Sequence, residues 1–556
     1  MTTRHRNIMV VVAGFFLVTL AVYAASVRGN FFVDWDDYRL IVQNPILQEL
    51  SVRNAARAFS SYDPELYIPL TFMSYHVDRL IGGGFVPQVT HGINLLLHTL
   101  NALLVAWVLG RLVRDRRAGI IAGLLFAVHP LNAEAVAWAS ARKDLLASFF
   151  FLFSWGCYLL MRDCDVKKRS SALWYALSLW TFFLALIAKI VAVPLPVILI
   201  LTDFLQGRRF DRTMWTEKIP YFTFSFFAGI IGLLGKSGGS SLVYEKMLIG
   251  CRAIFLYLGK LLVPVKFSVL YPFTNEISFA TPQLFFSVLG VFLLTKLAMQ
   301  TIPRTRVIAV GWLFFLIMAL PSMTNFTKSD YYKLDVYVGS DRYAYLPSIG
   351  IFLLLAAFVH IALEKRKKIV CAGTAIFLVL LGSLAHAQSL MWHDTGTLFV
   401  NVLQYYPNSH VAHNNVGAIL EKKGYVDLAF AEYRKSIDVR PNERAYFNLG
   451  QIYLKRSDAL NAKDMFEKAL VENPNHVDSM ARLGAIVLSE KQVDRAIELF
   501  TKALSIRADL PDVPFNLATA YEMKGDKTHA AEWYRRVLEK NPDDAEAKAK
   551  LKKLQR

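Results

Sequence analysis

Cysteine is scarce in this 556-residue chain: Cys157, Cys164, Cys251 and Cys371 are its four, and none lies beyond residue 371. With no CxxC spacing among them, neither a disulfide framework nor a redox or metal motif is implied. Acidic residues are also short, since 44 Asp and Glu against 62 Lys and Arg leave a formal net charge of +18. That excess does not describe a nucleic-acid surface, because many of the bases sit in short breaks between apolar runs. A phosphate-binding glycine loop is missing: Gly235-Lys236-Ser237 has the ending of one, but Ile230 stands where its first glycine is required. No small-residue cleavage site follows the first apolar run, which begins behind Arg4 and Arg6. It reads as an uncleaved anchor with a cytoplasmic N terminus.

Apolar length is what the chain has in plenty. Its residues are 54% hydrophobic and 13% aromatic, above the roughly 45–50% apolar content of soluble domains. Runs long enough to cross a hydrocarbon core of about 30 Å occur near 8–27, 89–110, 118–136, 144–161, 172–188, 190–206, 219–235, 280–298, 307–322, 346–363 and 369–389. They predict an all-α, polytopic bundle of about 11 spans over residues 1–390. A further run, 247–263, carries Arg252 and Lys260 in its interior. Each charge would cost a few kcal/mol at the bilayer centre, so this segment is expected to lie flat in the outer interface. Every basic loop cluster, including Arg114 to Arg117 and Lys365 to Lys368, then falls on the cytoplasmic side. An odd number of spans carries the C-terminal part across the membrane. The expected setting is a bacterial inner membrane with that part in the periplasm, or the endoplasmic reticulum membrane and lumen in a eukaryotic host.

Residues 391–556 have a different chemistry. Gly417, Gly450, Gly484 and Ala518 recur at intervals of 33, 34 and 34 residues. Each is followed by a second small residue, Ala429, Ala462, Ala496 or Ala530, and then by an aromatic one, Tyr433, Phe466, Phe500 or Tyr534. Small residues at fixed spacing let paired antiparallel helices touch, and the period is that of the tetratricopeptide repeat. Four units are predicted at about 408–442, 443–476, 477–510 and 511–543, with a charged cap at 544–556 and a partial unit ahead of Pro407. Such an α-solenoid presents a concave surface to another polypeptide.

The first outer loop, about 28–88, is the longest break in the apolar part and opens with Asp34, Asp36 and Asp37. Long loops of this kind are usually functional. Clustered acids suppress one another's ionisation, and a nearby cation or apolar wall tunes one of them as a general base; a helix N-cap or an outer metal site are the plainer readings. The next outer loop brings His129, Glu134, Arg142 and Lys143, and a tight outer turn brings Lys189. Acids facing phosphate-grade cations suit transfer of a group from a lipid-linked phosphate, although each cation taken singly reads as a snorkelling anchor. His91, Asn94, His98 and Asn101 share a helical face, which fits a cavity lining and interhelical hydrogen bonding equally.

Together, Phe32-Val33-Asp34-Trp35-Asp36-Asp37, Asn44-Pro45, the block from His129-Pro130 to Asp144, the turn from Lys189 to Asp203, the Asp341-to-Ser348 segment and the downstream repeats resemble the transmembrane and tetratricopeptide-repeat-containing O-mannosyltransferases and their bacterial relatives. These are fold-C glycosyltransferases. The resemblance implies a polyprenyl-phosphate sugar as donor, and a protein acceptor, held by the repeats, that takes a hexose such as mannose on Ser or Thr. Asp36 or Asp37, with Asp36 preferred, would deprotonate the acceptor; Arg142, Lys143, Lys189 and Arg342 would hold the leaving phosphate; Asp34, His129 and Glu134 match as supporting residues. No cofactor or metal is expected, although three clustered acids also suit Mg²⁺ or Mn²⁺. The chain departs from the animal enzymes in having few repeats and in Ile190 after Lys189, where an acid often stands. The alternatives are a fold-C transferase acting on lipid or glycan, and a non-catalytic scaffold.

Overall fold

The computed structural model describes residues 3–31, 36–62, 66–163, 169–235, 243–324, 327–330 and 333–554. Two compact units emerge, Met1–Lys328 with Asp335–Asn401, and Ser329–Leu334 with Val402–Arg556. Among the described residues, six helices are long and apolar enough to cross a membrane: His5–Val27, Pro87–Leu112, Ala139–Asp163, Ser170–Ala188, Pro282–Gln300 and Ser348–Leu390. The bent pair Arg116–Ala127 and Pro130–Ala137 makes a seventh if counted as one span.

The difference from about eleven expected runs is physical. The runs at 190–206 and 307–322 form the shorter helices Ile190–Leu205 and Val307–Met323, and 219–235 forms the 16-residue helix Ile219–Leu234. The runs at 346–363 and 369–389 join into one 43-residue helix, Ser348–Leu390, with non-helical backbone at Arg366 (φ −144°, ψ 51°). Straight, it would measure about 65 Å, twice a hydrocarbon core. It is not straight. The Phe352 ring lies 5.9 Å from that of His129, while a Cβ at Gly382 would lie 4.0 Å from Val128. Those two helix positions would be about 45 Å apart in an unbroken helix, so the chain folds back at Arg366, inside the Lys365-to-Lys368 run. The helix over the 247–263 run, Val243–Leu262, is not among the six. The chain is all-α as expected, and among the described residues one pair of four-residue strands, Thr327–Asp330 and Lys333–Val336, interrupts the helices.

Two features position the site. Helices Pro87–Leu112 and Arg116–Ala127 meet through Gly110, Gly119 and Gly123: a Cβ at Gly119 would lie 2.5 Å from Gly110 Cα, and one at Gly123 2.5 Å from Ala106 Cβ. Small residues at such a crossing allow the backbone approach that drives helix association in lipid. The 55° bend then falls at Pro130, which lacks the amide to continue the helix. Asn132 Nδ2 donates at 2.8 Å to the Phe126 carbonyl, which also accepts from the His129 amide at 3.2 Å. The described residues of the first loop include helices that pack on one another. Ser51 caps Val52–Ser60, Pro69–Gly82 follows, and Leu40, Ile41, Leu47, Ala58, Ile68, Phe72 and Tyr75 form a small core over Ala139.

In the second unit, helix pairs His410–Lys422 with Val426–Val439, Glu443–Lys455 with Ala459–Glu472, Val477–Ser489 with Val493–Ile506, and Val513–Lys524 with Lys527–Lys540 precede a last helix, Ala545–Leu554. In the first three pairs the recurring aromatic lies on the recurring glycine of its own pair. A Cβ at Gly417, Gly450 or Gly484 would come within 2.7, 2.6 and 2.6 Å of Tyr433, Phe466 and Phe500, respectively.

Candidate active site

Adjacent acids and adjacent cations are separated here by the direction of their side chains. Asp37 is fully buried, and its Oδ1 accepts from the Ser140 amide at 3.0 Å and from the Ser140 hydroxyl. Asp36 is exposed, with no hydrogen bond or ion pair among the described residues. Asp34 lies outside those residues. Asp37 therefore tethers the first loop to the second, and Asp36 keeps a carboxylate open to a ligand.

Arg142 and Lys143 begin the helix Arg142–Asp163 and diverge in the same way. Arg142 is fully buried and forks onto Asp78 at 3.0 and 2.9 Å. Its remaining N–H groups reach Asn94 Oδ1, the Thr90 carbonyl at 2.9 Å and Ser74 Oγ at 3.5 Å. All five donors of the guanidinium are engaged, so Arg142, expected from sequence at the phosphate, here braces the first loop against the bundle. Lys143 is 6% exposed and its ammonium lies 5.5 Å from the Trp138 ring centre. It has no ion pair among the described residues. Asp36, Asp144, Lys189 and Arg342 are the charges in range of it.

The other two cations come partnered. Lys189 Nζ contacts Asp144 Oδ1 at 2.5 Å and sits 5.6 Å from the Tyr343 ring centre; the second oxygen of buried Asp144 has no donor. Arg342 pairs with Glu134 and lies 4.7 Å from both the Trp138 and Tyr343 ring centres. Glu134 also accepts from the Ser340 hydroxyl at 2.5 Å and the Arg342 amide at 3.2 Å, which makes it the orienting group for Arg342. His129 stands apart from this cluster: Nδ1 accepts from the Leu131 amide at 3.2 Å and Nε2 donates to the Leu261 carbonyl at 3.2 Å. It caps the turn after the bend. Two residues of the polar face of Pro87–Leu112 bond between helices, His98 to Tyr345 and the Ala127 carbonyl and Asn101 Nδ2 to the Leu145 carbonyl. Among the described residues no group of three or more His, Cys, Asp or Glu is placed to hold a metal ion.

Trp138, Ser140, Asp78, Asp144 and Tyr343 were not foreseen as site residues, nor was buried Asp341, which accepts from Tyr271 at 2.8 Å. Burial, reinforced by the Glu134 carboxylate, pushes Asp341 well above the ordinary carboxylate range, against the Tyr271 bond and the Lys260 and Arg342 charges. The folded chain then holds this proton more tightly than the unfolded one. Its contribution to stability is complete below the unfolded value of 3.8 and is lost as pH rises through the folded value. Asp341→Asn keeps an acceptor for Tyr271 and is expected to flatten the fall in melting temperature as pH rises above 3.8. Parallel profiles would mean that Asp341 titrates alike in both states.

Helices apolar enough to span a bilayer, joined to helical repeats, make this a membrane protein with a tetratricopeptide-repeat solenoid. Tetratricopeptide repeat models match residues 447–514 and 487–554. The chain is 25% identical to human Protein O-mannosyl-transferase TMTC4, covering 75% of this chain and 64% of that protein. It is 24% identical to mouse Protein O-mannosyl-transferase TMTC3, covering 86% of this chain and 58% of that protein. Among solved structures, the repeat protein MamA is similar at 24% identity, over 27% of this chain and 89% of that one, with a TM-score of 0.24. The chain is similar to these two mammalian proteins over most of its own length and spans under two thirds of theirs.

Proposed function

We propose that this chain is a membrane glycosyltransferase that moves a hexose, mannose first among the candidates, from a polyprenyl phosphate to Ser or Thr of an extracytoplasmic protein held by the repeats. The observation that carries the reading is Lys143: a nearly buried cation without a counter-ion, against an aromatic face, within range of an open carboxylate. Asp36 takes the proton from the acceptor hydroxyl as its oxygen attacks the anomeric carbon. The bond from that carbon to the phosphate oxygen breaks with inversion, and the phosphate leaves with the electron pair. Lys143, with Lys189 and Arg342 behind it, stabilises the charge gathering on that phosphate, the term that usually contributes most to catalysis. Relatives named protein O-mannosyl-transferases support the sugar and the acceptor class.

The experiment is transfer of radiolabelled mannose from polyprenyl-phosphate mannose to membrane proteins by the chain in vesicles, beside Lys143→Met. Labelled protein is expected from the wild type, with kcat lowered about 10²–10³-fold in the variant. Label in lipid instead of protein would redirect the acceptor, and no label from mannose or glucose donors would overturn the reading.

A further inference from the structure

Some 30 Å along Pro87–Leu112 from Thr90, at its other end, a groove of about 460 Å³ opens between this helix, Thr3–Val27 and Arg116–Ala127. Its walls are Ile8, Val11, Val12, Leu103 and Trp107, and its polar end is Arg111 with Arg116. Trp107 is a fixed wall, because its ring packs so closely on Gly156 that a Cβ there would have no room. Arg111 lies over that ring at 5.3 Å with one terminal nitrogen on Asp163. Arg116 is exposed and has no ion pair among the described residues. A greasy trough ending in two guanidiniums, only one of them partnered, is complementary to an amphiphile with a negative head.

We propose that this groove is a specific site for one anionic phospholipid, its phosphate between Arg111 and Arg116 and an acyl chain along Ile8, Val12, Leu103 and Trp107. The volume falls within the range of small-molecule sites, and arginine offers phosphate a planar fork of donors. The site does not depend on the transfer reaction.

Native mass spectrometry of the full chain, equilibrated with equimolar phosphatidylglycerol and phosphatidylcholine, tests it. The wild type is expected to retain phosphatidylglycerol in about tenfold excess, the effect of two arginines facing a net negative head. Arg111→Gln with Arg116→Gln should bring the ratio near one, and Leu103→Trp, which fills the trough without altering charge, should lower retention of both lipids. Because Arg111 also pairs with Asp163, Arg116→Gln alone is the check against misfolding: the ratio should drop several-fold with the melting temperature unchanged. Equal retention by the wild type, a preference that survives loss of Arg116, or undiminished binding to Leu103→Trp would each overturn the proposal.

Discussion

Asp36→Asn is expected to lower kcat for sugar transfer by about 10²–10⁴-fold, the usual worth of a general base, with donor KM and melting temperature unchanged. The carboxylate it removes is exposed and bonded to nothing among the described residues, so folding has little to lose. Asp37→Asn should behave differently, because its oxygen holds the Ser140 amide and hydroxyl in a buried setting. Weakening that tether lets the first loop drift from the second, and stability and kcat should fall together. Initial rates in vesicles with thermal unfolding of both variants separate the roles. A nearly active Asp36→Asn beside a folded, inactive Asp37→Asn would exchange them.

The largest effect on stability is expected from Arg142→Met. The substitution strands Asp78, 1% exposed, without its counter-charge, and breaking a buried pair from one side typically costs about 3–5 kcal/mol. The variant should melt far below the wild type or fail to accumulate. Replacing both partners, Arg142→Met with Asp78→Leu, should recover much of the loss, since an apolar pair of similar volume leaves no uncompensated charge. If Arg142 were a phosphate ligand, the single variant would fold normally and show only a raised KM for the donor.

These two pairs mark the limit of what the sequence discloses. Gly417, Gly450 and Gly484 were legible because a periodic pattern repeats its own evidence, and the structure sets the expected aromatic on each of them. The apolar runs were legible by length, yet length does not reveal that Pro130 bends one of them or that Arg366 folds back another. Around the site, residue types showed that acids and cations were present. They did not show which would be free, since Arg142 and Lys143 are neighbours whose side chains leave a helix about 100° apart. One meets Asp78 from the first loop and the other meets Trp138. That division is made by tertiary packing, through Asp78 on one side and Trp138 on the other.

Because each glycine–aromatic contact closes within its own helix pair, the solenoid behaves as a ruler cut in units of about 34 residues. Deleting or duplicating a whole unit changes how far the array reaches while leaving the glycine–ring contact inside each remaining unit in place. Insertion of a few residues inside a unit, by contrast, would shift glycine from ring in that unit. Reach can thus be altered in whole steps while the membrane unit and its chemistry stay as they are.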